Sequence, residues 1–402
     1  MNVLKWGPVA LGMAVAFAGV GPASAQSERA QLELSGRTFH KAVCARGNPA
    51  MTARCFAHVV TDARGNIKNG KTTPNAVAAP SGFGPADIQA AYNIPAGTGT
   101  PTIAIVDAYG YGAAESDLAA YRSQFGLPPC TKANGCLRIV NQSGGTKLPR
   151  EDTGWAQEQA LDLDMASAAC PNCKILLVQA SSASISALMA GVDYAKSQGV
   201  RAISNSYGTP DSSSLAQYDS HYAGNNIAVT VSTGDSGYGA QWPATAPGAV
   251  AVGGTSLFKG GAGFTESAWD GAGSGCGLSH SKPGFQNTVT DACAGRMEAD
   301  ISAVADPNTG VAVYGPMSRT VHGWMVFGGT SASAPLIGAM FALRNGAIDG
   351  ATSIYSHTAN LHDVTSGSNG STCPVNYYCH AGGGHDGPTG LGTPNGLGAF
   401  SN

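Results

Sequence analysis

A chain of 402 residues that is 43% hydrophobic and only 12% charged has room for one large α/β domain and a small appendage. Its formal net charge of −3 gives no electrostatic reason to expect a nucleic-acid partner. The charged share is about half of the ~25% usual for globular domains, so carboxylate protonation changes its net charge less than usual, which suits acid.

Residues 1–25 read as a secretory signal peptide: Lys5 is the positive start, Val9 to Val20 the short apolar core, and Ala23-Ser24-Ala25 the cleavage site. No other segment approaches the ~18 consecutive apolar residues of a membrane span. The mature protein is therefore expected to be soluble and secreted, with the periplasm as the alternative, and its default state is a monomer. The ten cysteines agree with export. They fall into five close sequence pairs, Cys44/Cys55, Cys130/Cys136, Cys170/Cys173, Cys276/Cys293 and Cys373/Cys379, and local pairing is the simplest connectivity. The rival reading is zinc at Cys170-Pro-Asn-Cys173, but no second such motif lies at zinc-ribbon spacing.

Residues 26–80 are polar and turn-rich and read as a short pro-segment or N-terminal extension; the compact domain is expected over 81–402. After Gly82-Phe83-Gly84-Pro85, a helix is predicted over Ala86–Tyr92. Apolar β-rich runs follow at Thr102–Asp107, Lys174–Ala180, Arg201–Ser206, Ile227–Ser232 and Ala249–Gly253. Helical stretches lie between them at Glu115–Phe125, Glu158–Ala169 and Ser184–Gln198. Such alternation predicts an α/β fold with a mostly parallel central sheet and helices on both faces.

Within the helix Trp155–Ala169, Glu158 and Asp162 are four residues apart. They share a face, with Cβ atoms roughly 5–6 Å apart. Taken alone, such a pair reads as a solvated face, and Asp164, elsewhere on the wheel, as an exposed or capping carboxylate. Val231-Ser-Thr-Gly-Asp235-Ser-Gly237 follows an apolar strand, at the end of the sheet where ligands bind in open α/β folds. Gly-Asp-Ser-Gly also surrounds the nucleophile of trypsin-like proteases, but the α/β pattern and the missing Ala-Ala-His-Cys segment exclude that reading of Ser236. An Asx-turn is the structural alternative for Asp235.

The most informative stretch is Gly328-Gly-Thr-Ser331-Ala-Ser-Ala-Pro335. A serine at a helix N-terminus meets backbone N–H groups and a dipole that favour an oxyanion. An ordinary helix cap is the alternative. A serine nucleophile needs a base, and in acid histidine is protonated, whereas a glutamate with a pKa near ~4.3 can accept a proton. Ser331, Glu158 and Asp162 thus make a Ser-Glu-Asp triad suited to acid, with the two carboxyls titrating as a pair. Near the C-terminus, His362-Asp363-Val364-Thr365-Ser366-Gly367 and Ala381-Gly382-Gly383-Gly384-His385-Asp386 bring two carboxylates and glycine-rich turns toward one hard cation.

These motifs, in this order, resemble the sedolisins, the serine-carboxyl branch of the subtilisin-like clan. The resemblance covers roughly residues 83–399 and includes Ser204-Asn-Ser-Tyr-Gly208, Ala251-Val-Gly-Gly-Thr255 and Ala305-Asp-Pro-Asn-Thr-Gly310. It implies a subtilisin-like three-layer fold and hydrolysis of polypeptide substrates through an acyl-enzyme on Ser331. It also implies that Asp235, protonated, donates to the tetrahedral intermediate beside the Ser331 N–H. One structural Ca2+ is implied, held by the side chains of Asp363 and Asp386 and the carbonyls of Val364, Gly382 and Gly384. The chain departs from the family in its short N-terminal segment, in His385 where an aromatic is common and in Ala299 where proline is common. Other readings are a Ser-His-Asp subtilisin using Asp107, a tripeptidyl-type exopeptidase of the same family, and an inactive binding module. His221 and His322 lie in contexts unsuited to a triad, and no Gly-x-Ser-x-Gly element sits between a strand and a helix as an esterase would need.

Overall fold

The computed structural model describes residue 1 and residues 32–45, 51–68, 80–97, 99–289, 293–344, 346–370 and 372–402. The signal-peptide reading therefore falls outside the described residues, apart from Met1. Among the described residues no helix is long and apolar enough to cross a membrane.

The N-terminal segment contains β1 (Leu32–Ser35), β2 (Thr38–Ala42), β3 (Arg54–Cys55) and β4 (His58–Thr61). There follow α1 (Pro85–Ala91), β5 (Thr102–Ala108), α2 (Ala114–Gln124), β6 (Leu137–Asn141), α3 (Thr153–Ala169), β7 (Lys174–Ala180) and α4 (Ile185–Lys196). Next come β8 (Ala202–Asn205), β9 (Tyr207–Pro210), β10 (Ala228–Ser232), β11 (Gln241–Trp242), β12 (Val250–Gly260) and β13 (Gly263–Ala268). Further along the chain are β14 (Gly275–Ser281), β15 (Gly295–Glu298), β16 (Ile301–Val304), β17 (Val311–Pro316), β18 (His322–Gly328) and α5 (Thr330–Leu343).

The central sheet has eight strands in the order β13-β12-β10-β8-β5-β7-β6, with β16 also paired to β12. All neighbours are parallel except β13, which runs antiparallel to β12. Alternate residues of β5 serve opposite layers: Ile103 and Ile105 pack in the cluster that holds α3 and α5, and Ala104 and Val106 in the one that holds α4. Burial on both faces is why these strands read as unbroken apolar runs.

Two helices carry the site. Asp152 caps α3 by accepting from the Trp155 N–H at 3.0 Å. From Trp155 onward α3 is buried on every side, and α5 is buried throughout. A helix that is buried all round has no solvated face, which corrects the expectation for Asp164. That residue is 1% exposed and accepts from the Tyr314 N–H of β17 at 2.9 Å.

The segment before residue 80 is woven into the same body. Strands β1, β2 and β4 join β18 and β17 in a five-stranded sheet, and β3 lies antiparallel on β9. All five local cysteine pairs are disulfides, so Cys170 and Cys173 hold each other rather than a metal.

Candidate active site

Ser331 sits in the first turn of α5, at 0% exposure. Gly329 precedes it with φ 98°, and a Cβ there would come within 2.0 Å of the Phe56 carbonyl oxygen and 2.6 Å of Asp235 Oδ2. Only glycine leaves that space open and takes that backbone without strain. The helix start is pinned to β10: Ser232 Oγ donates to the Thr330 carbonyl at 3.0 Å, and the Gly234 N–H donates to Thr330 Oγ1 at 3.1 Å.

Glu158 and Asp162 face Ser331 from α3. The Ser331 hydroxyl donates to the Ser206 carbonyl at 3.2 Å, and Ser206 Oγ donates to Asp162 Oδ1 at 2.8 Å. Ser206 thus bridges the serine and the carboxyl pair. Both Glu158 oxygens and Asp162 Oδ2 are buried without a hydrogen-bond partner. Burial first, and then the charges of Asp162 and Asp107, push Glu158 well above the usual carboxylate range; the nearby Ser331 hydroxyl works the other way. Burial and Asp107 likewise raise Asp162. The unperturbed glutamate expected from sequence is therefore not what the cleft contains while the Phe56 peptide fills it: burial and the neighbouring carboxyls raise it.

Asp107, at the end of β5, is a further buried carboxyl, raised to about 8 by burial and with neither oxygen hydrogen-bonded. No histidine contacts Ser331, Glu158 or Asp107 among the hydrogen bonds described. His221 bonds Asp193 at 2.8 Å and His322 bonds Asp117 at 2.6 Å.

Asp235 lies across the cleft. Its Oδ1 accepts from the Thr330 N–H and hydroxyl, both at 2.8 Å. Its Oδ2 is buried without a hydrogen bond, 3.5 Å from His58 Nε2. Burial pushes Asp235 up to about 7; the Thr330 donors and Arg54 oppose the rise, and Glu33 adds to it. His58 lies well below the usual histidine range because it is buried and faces His40 and Arg54. Burial thus favours the neutral form of the Asp235 carboxyl, whose Oδ1 is held by Thr330 and whose Oδ2 lies where a Gly329 side chain would stand.

A peptide already occupies that space. The Ser331 N–H donates to the Phe56 carbonyl oxygen at 3.2 Å, and the Phe56 N–H donates to the Ser206 carbonyl at 3.2 Å. The sequence singles out neither Phe56 nor His58; it offers Asp107 only as the aspartate of a Ser-His-Asp triad and Ser206 only within the Ser204–Gly208 motif. The one sequence signal near Phe56 is the cysteine beside it, Cys55.

At the C-terminal loop, Asp386 is 2% exposed; its Oδ2 accepts from the Gly382 N–H and its Oδ1 from the Thr389 N–H and hydroxyl, all at 2.9 Å. Asp363 Oδ2 accepts from the Gly384 N–H at 2.9 Å. Burial pushes Asp386 up to about 7, and the Asp363 charge adds to the rise. Two neighbouring carboxyls, with no thiol or imidazole bonded to either, are the ligand type of a hard cation rather than a soft one.

A family model described as the subtilase family matches residues 153–359. The chain is 30% identical over 362 residues to kumamolisin of Bacillus sp. (strain MN-32), which covers 80% of this chain and 63% of that protein. It is 32% identical over 179 residues to sedolisin of Pseudomonas sp. (strain 101), covering 39% of this chain and 29% of that one. The chain therefore spans less than two thirds of the length of these relatives. In fold it matches the solved Pseudomonas sedolisin, a serine-carboxyl proteinase complexed with pseudo-iodotyrostatin. The TM-score is 0.64 at 24% identity, over 79% of this chain and 96% of that one.

Proposed function

The chain belongs to the subtilase family, in its sedolisin branch, and from that premise we propose that it is a secreted, acid-acting serine endopeptidase. The observation that carries the reading is the Ser331 N–H donating to a peptide carbonyl, that of Phe56, at 3.2 Å, beside a Gly329 whose missing Cβ leaves room for both that carbonyl oxygen and Asp235 Oδ2. Ser331 Oγ attacks the scissile carbonyl, and Glu158 takes its proton. Asp162, tied to Ser206, orients Glu158 and shares its charge. Asp235 and the Ser331 N–H hold the oxyanion; such a donor is worth about 10²–10³ in rate. Glu158 then protonates the leaving amine, and water hydrolyses the acyl-enzyme.

Endopeptidase action is favoured over tripeptidyl release because residues 53–57 pass through the cleft with chain on both sides, at β3 and β4. Polypeptides are the substrates. All four side chains come from one chain, so a monomer suffices. Export is supported by the five disulfides. Residues 1–25 act as the signal peptide. Ca2+ would be held by Asp363 and Asp386 and the carbonyls of Val364, Gly382 and Gly384, tying down the C-terminal loop and taking no part in the chemistry.

A peptide aldehyde ending in phenylalanine tests the reading. Incubated in acid after the segment that fills the cleft has been removed, wild type should gain the mass of one inhibitor as a hemiacetal, and Ser331→Ala should gain none. Equal labelling of both would sink the assignment of Ser331.

A further inference from the structure

We propose that Glu33, His40 and His58 form a binding site for one divalent transition-metal ion of the zinc class, on one face of the N-terminal sheet. The inference stands apart from the peptidase reading and from the hard-cation loop near the C-terminus.

Sheet register brings the three side chains together from three strands. Glu33 on β1 pairs with His40 on β2, and His40 pairs with Val60 on β4. His58 stands two residues before Val60, so all three side chains share a face. Directly opposed Cβ atoms in such a sheet lie about 5 Å apart, and diagonal neighbours stay within reach of rings and long side chains. The two histidine Nδ1 atoms are 2.9 Å apart, and Glu33 Oε2 is 3.9 Å from Nδ1 of His58. One ligand atom from each residue falls within 4.8 Å of the other two, and no other trio of His, Cys, Asp and Glu does so among the described residues.

A tetrahedral ion with bonds of about 2.0–2.2 Å spaces its ligand atoms about 3.3–3.6 Å apart. The two observed separations bracket that spacing, so a small turn of the side chains seats the ion. Two imidazoles and one carboxylate suit zinc and its neighbours rather than Ca2+ or Mg2+, which take oxygen ligands. Three protein ligands leave the fourth position to water.

The surroundings fit the same ion. Both histidines are 3% exposed, whereas the Glu33 side chain is 41% exposed. The imidazoles are thus the fixed floor of the site, and the carboxylate marks the way in. Trp269 closes one side, its ring centroid 6.2 Å from that of His58. Arg54 faces His58 and Asp306 faces His40; their charges offset, and Glu33 tips the site negative. The other nitrogen of His58, Nε2, lies 3.5 Å from Asp235 Oδ2, an oxygen with no hydrogen bond. An ion on Nδ1 leaves the ring's proton on Nε2, facing that carboxyl. A carboxylate behind a ligating imidazole is the outer partner that fixes its tautomer. The ion therefore ties β1, β2 and β4 together and bears, through one ring, on the active-site aspartate.

The alternative is a histidine pair that shares one proton between its Nδ1 atoms, with Glu33 merely beside it. Calorimetry separates the two. The full-length chain carrying Ser331→Ala, which avoids digestion, is stripped with a chelator, supplied with excess Ca2+ and titrated with ZnCl2 at pH 7.5. It should bind one Zn2+ per chain and melt at a higher temperature with the ion present. His40→Gln and Glu33→Gln should each weaken binding at least ~10-fold, since even the loss of an outer partner typically costs that much. Co2+ in place of Zn2+ should give the intense visible absorption of a tetrahedral ion, lost in His40→Gln. If His40→Gln does not fold, Glu33→Gln, which changes a half-exposed side chain, holds the test. No binding of Zn2+, or binding of equal strength in both variants and the parent, would overturn the inference and leave the peptidase reading untouched.

Discussion

Replacing Asp235 by asparagine separates two jobs of one carboxyl. Asparagine keeps an acceptor for the Thr330 N–H and hydroxyl and puts a permanent donor where Oδ2 stands. It is therefore a pH-independent copy of the protonated acid. Asp235 is pushed up to about 7 in the fold, whereas an unfolded aspartate titrates near ~3.9. Between those values the folded state binds more protons than the unfolded state, so stability falls as pH rises through the window. The gap of about three pK units, at ~1.36 kcal/mol each, amounts to roughly 4 kcal/mol at pH 7 and to almost nothing at pH 3. In a Ser331→Ala background, which avoids self-digestion, Asp235→Asn should raise the unfolding free energy at pH 7 by up to ~4 kcal/mol. At pH 3 it should change little. The measurement is urea unfolding at both pH values. In the active background, an amide is a weaker donor to an oxyanion, so kcat/KM in acid should fall by about 10–100-fold, within the range for an impaired oxyanion donor. The ratio of variant to wild-type rate should then rise with pH. A stability change equal at pH 3 and 7, together with a rate ratio flat in pH, would refute the view of Asp235 as an acid that works protonated.

Other outcomes follow from the same geometry. Gly329→Ala would set a methyl group against the Phe56 carbonyl and Asp235 and force an alanine to φ 98°; thermal unfolding should show a loss of at least ~1–3 kcal/mol, and hydrolysis should fall with it. Chelation should lower the melting temperature, and added Ca2+ should restore it. At a hundred times its Kd the ion is worth ~2.7 kcal/mol. Asp386→Asn should remove most of that response, and a melting temperature indifferent to Ca2+ would argue against the site.

The strands were legible where the physics was local. Lys174–Ala180 is an apolar run because β7 is buried on both faces, and its predicted and observed ends coincide. Strand β6 escaped notice because it lies at the sheet edge, where Arg138 is exposed and the apolar signal is broken. The N-terminal sheet escaped because its strands are two to five residues long and find their partners in β9 and β18, far along the chain. Spacing put Glu158 and Asp162 on one face, and the motif order pointed to Ser331 and Asp235. Spacing says nothing about what surrounds a helix, so the burial of Asp164 and the raised pKa of Glu158 had to come from the packing of α3 against α5 and β17. A backbone carbonyl has no residue signature, which is why Phe56 was invisible in the sequence.

The central claim is that a glutamate on α3, rather than a histidine, is the base for Ser331. Its most direct test is the pH dependence of kcat/KM from pH 2.5 to 8 on a phenylalanine-containing peptide, for wild type, Ser331→Ala and Glu158→Gln after removal of the segment that fills the cleft. Activity confined to acid, abolished by Ser331→Ala and reduced at least ~100-fold by Glu158→Gln, is the predicted result. Activity that peaks near pH 8 and survives Glu158→Gln would contradict the account.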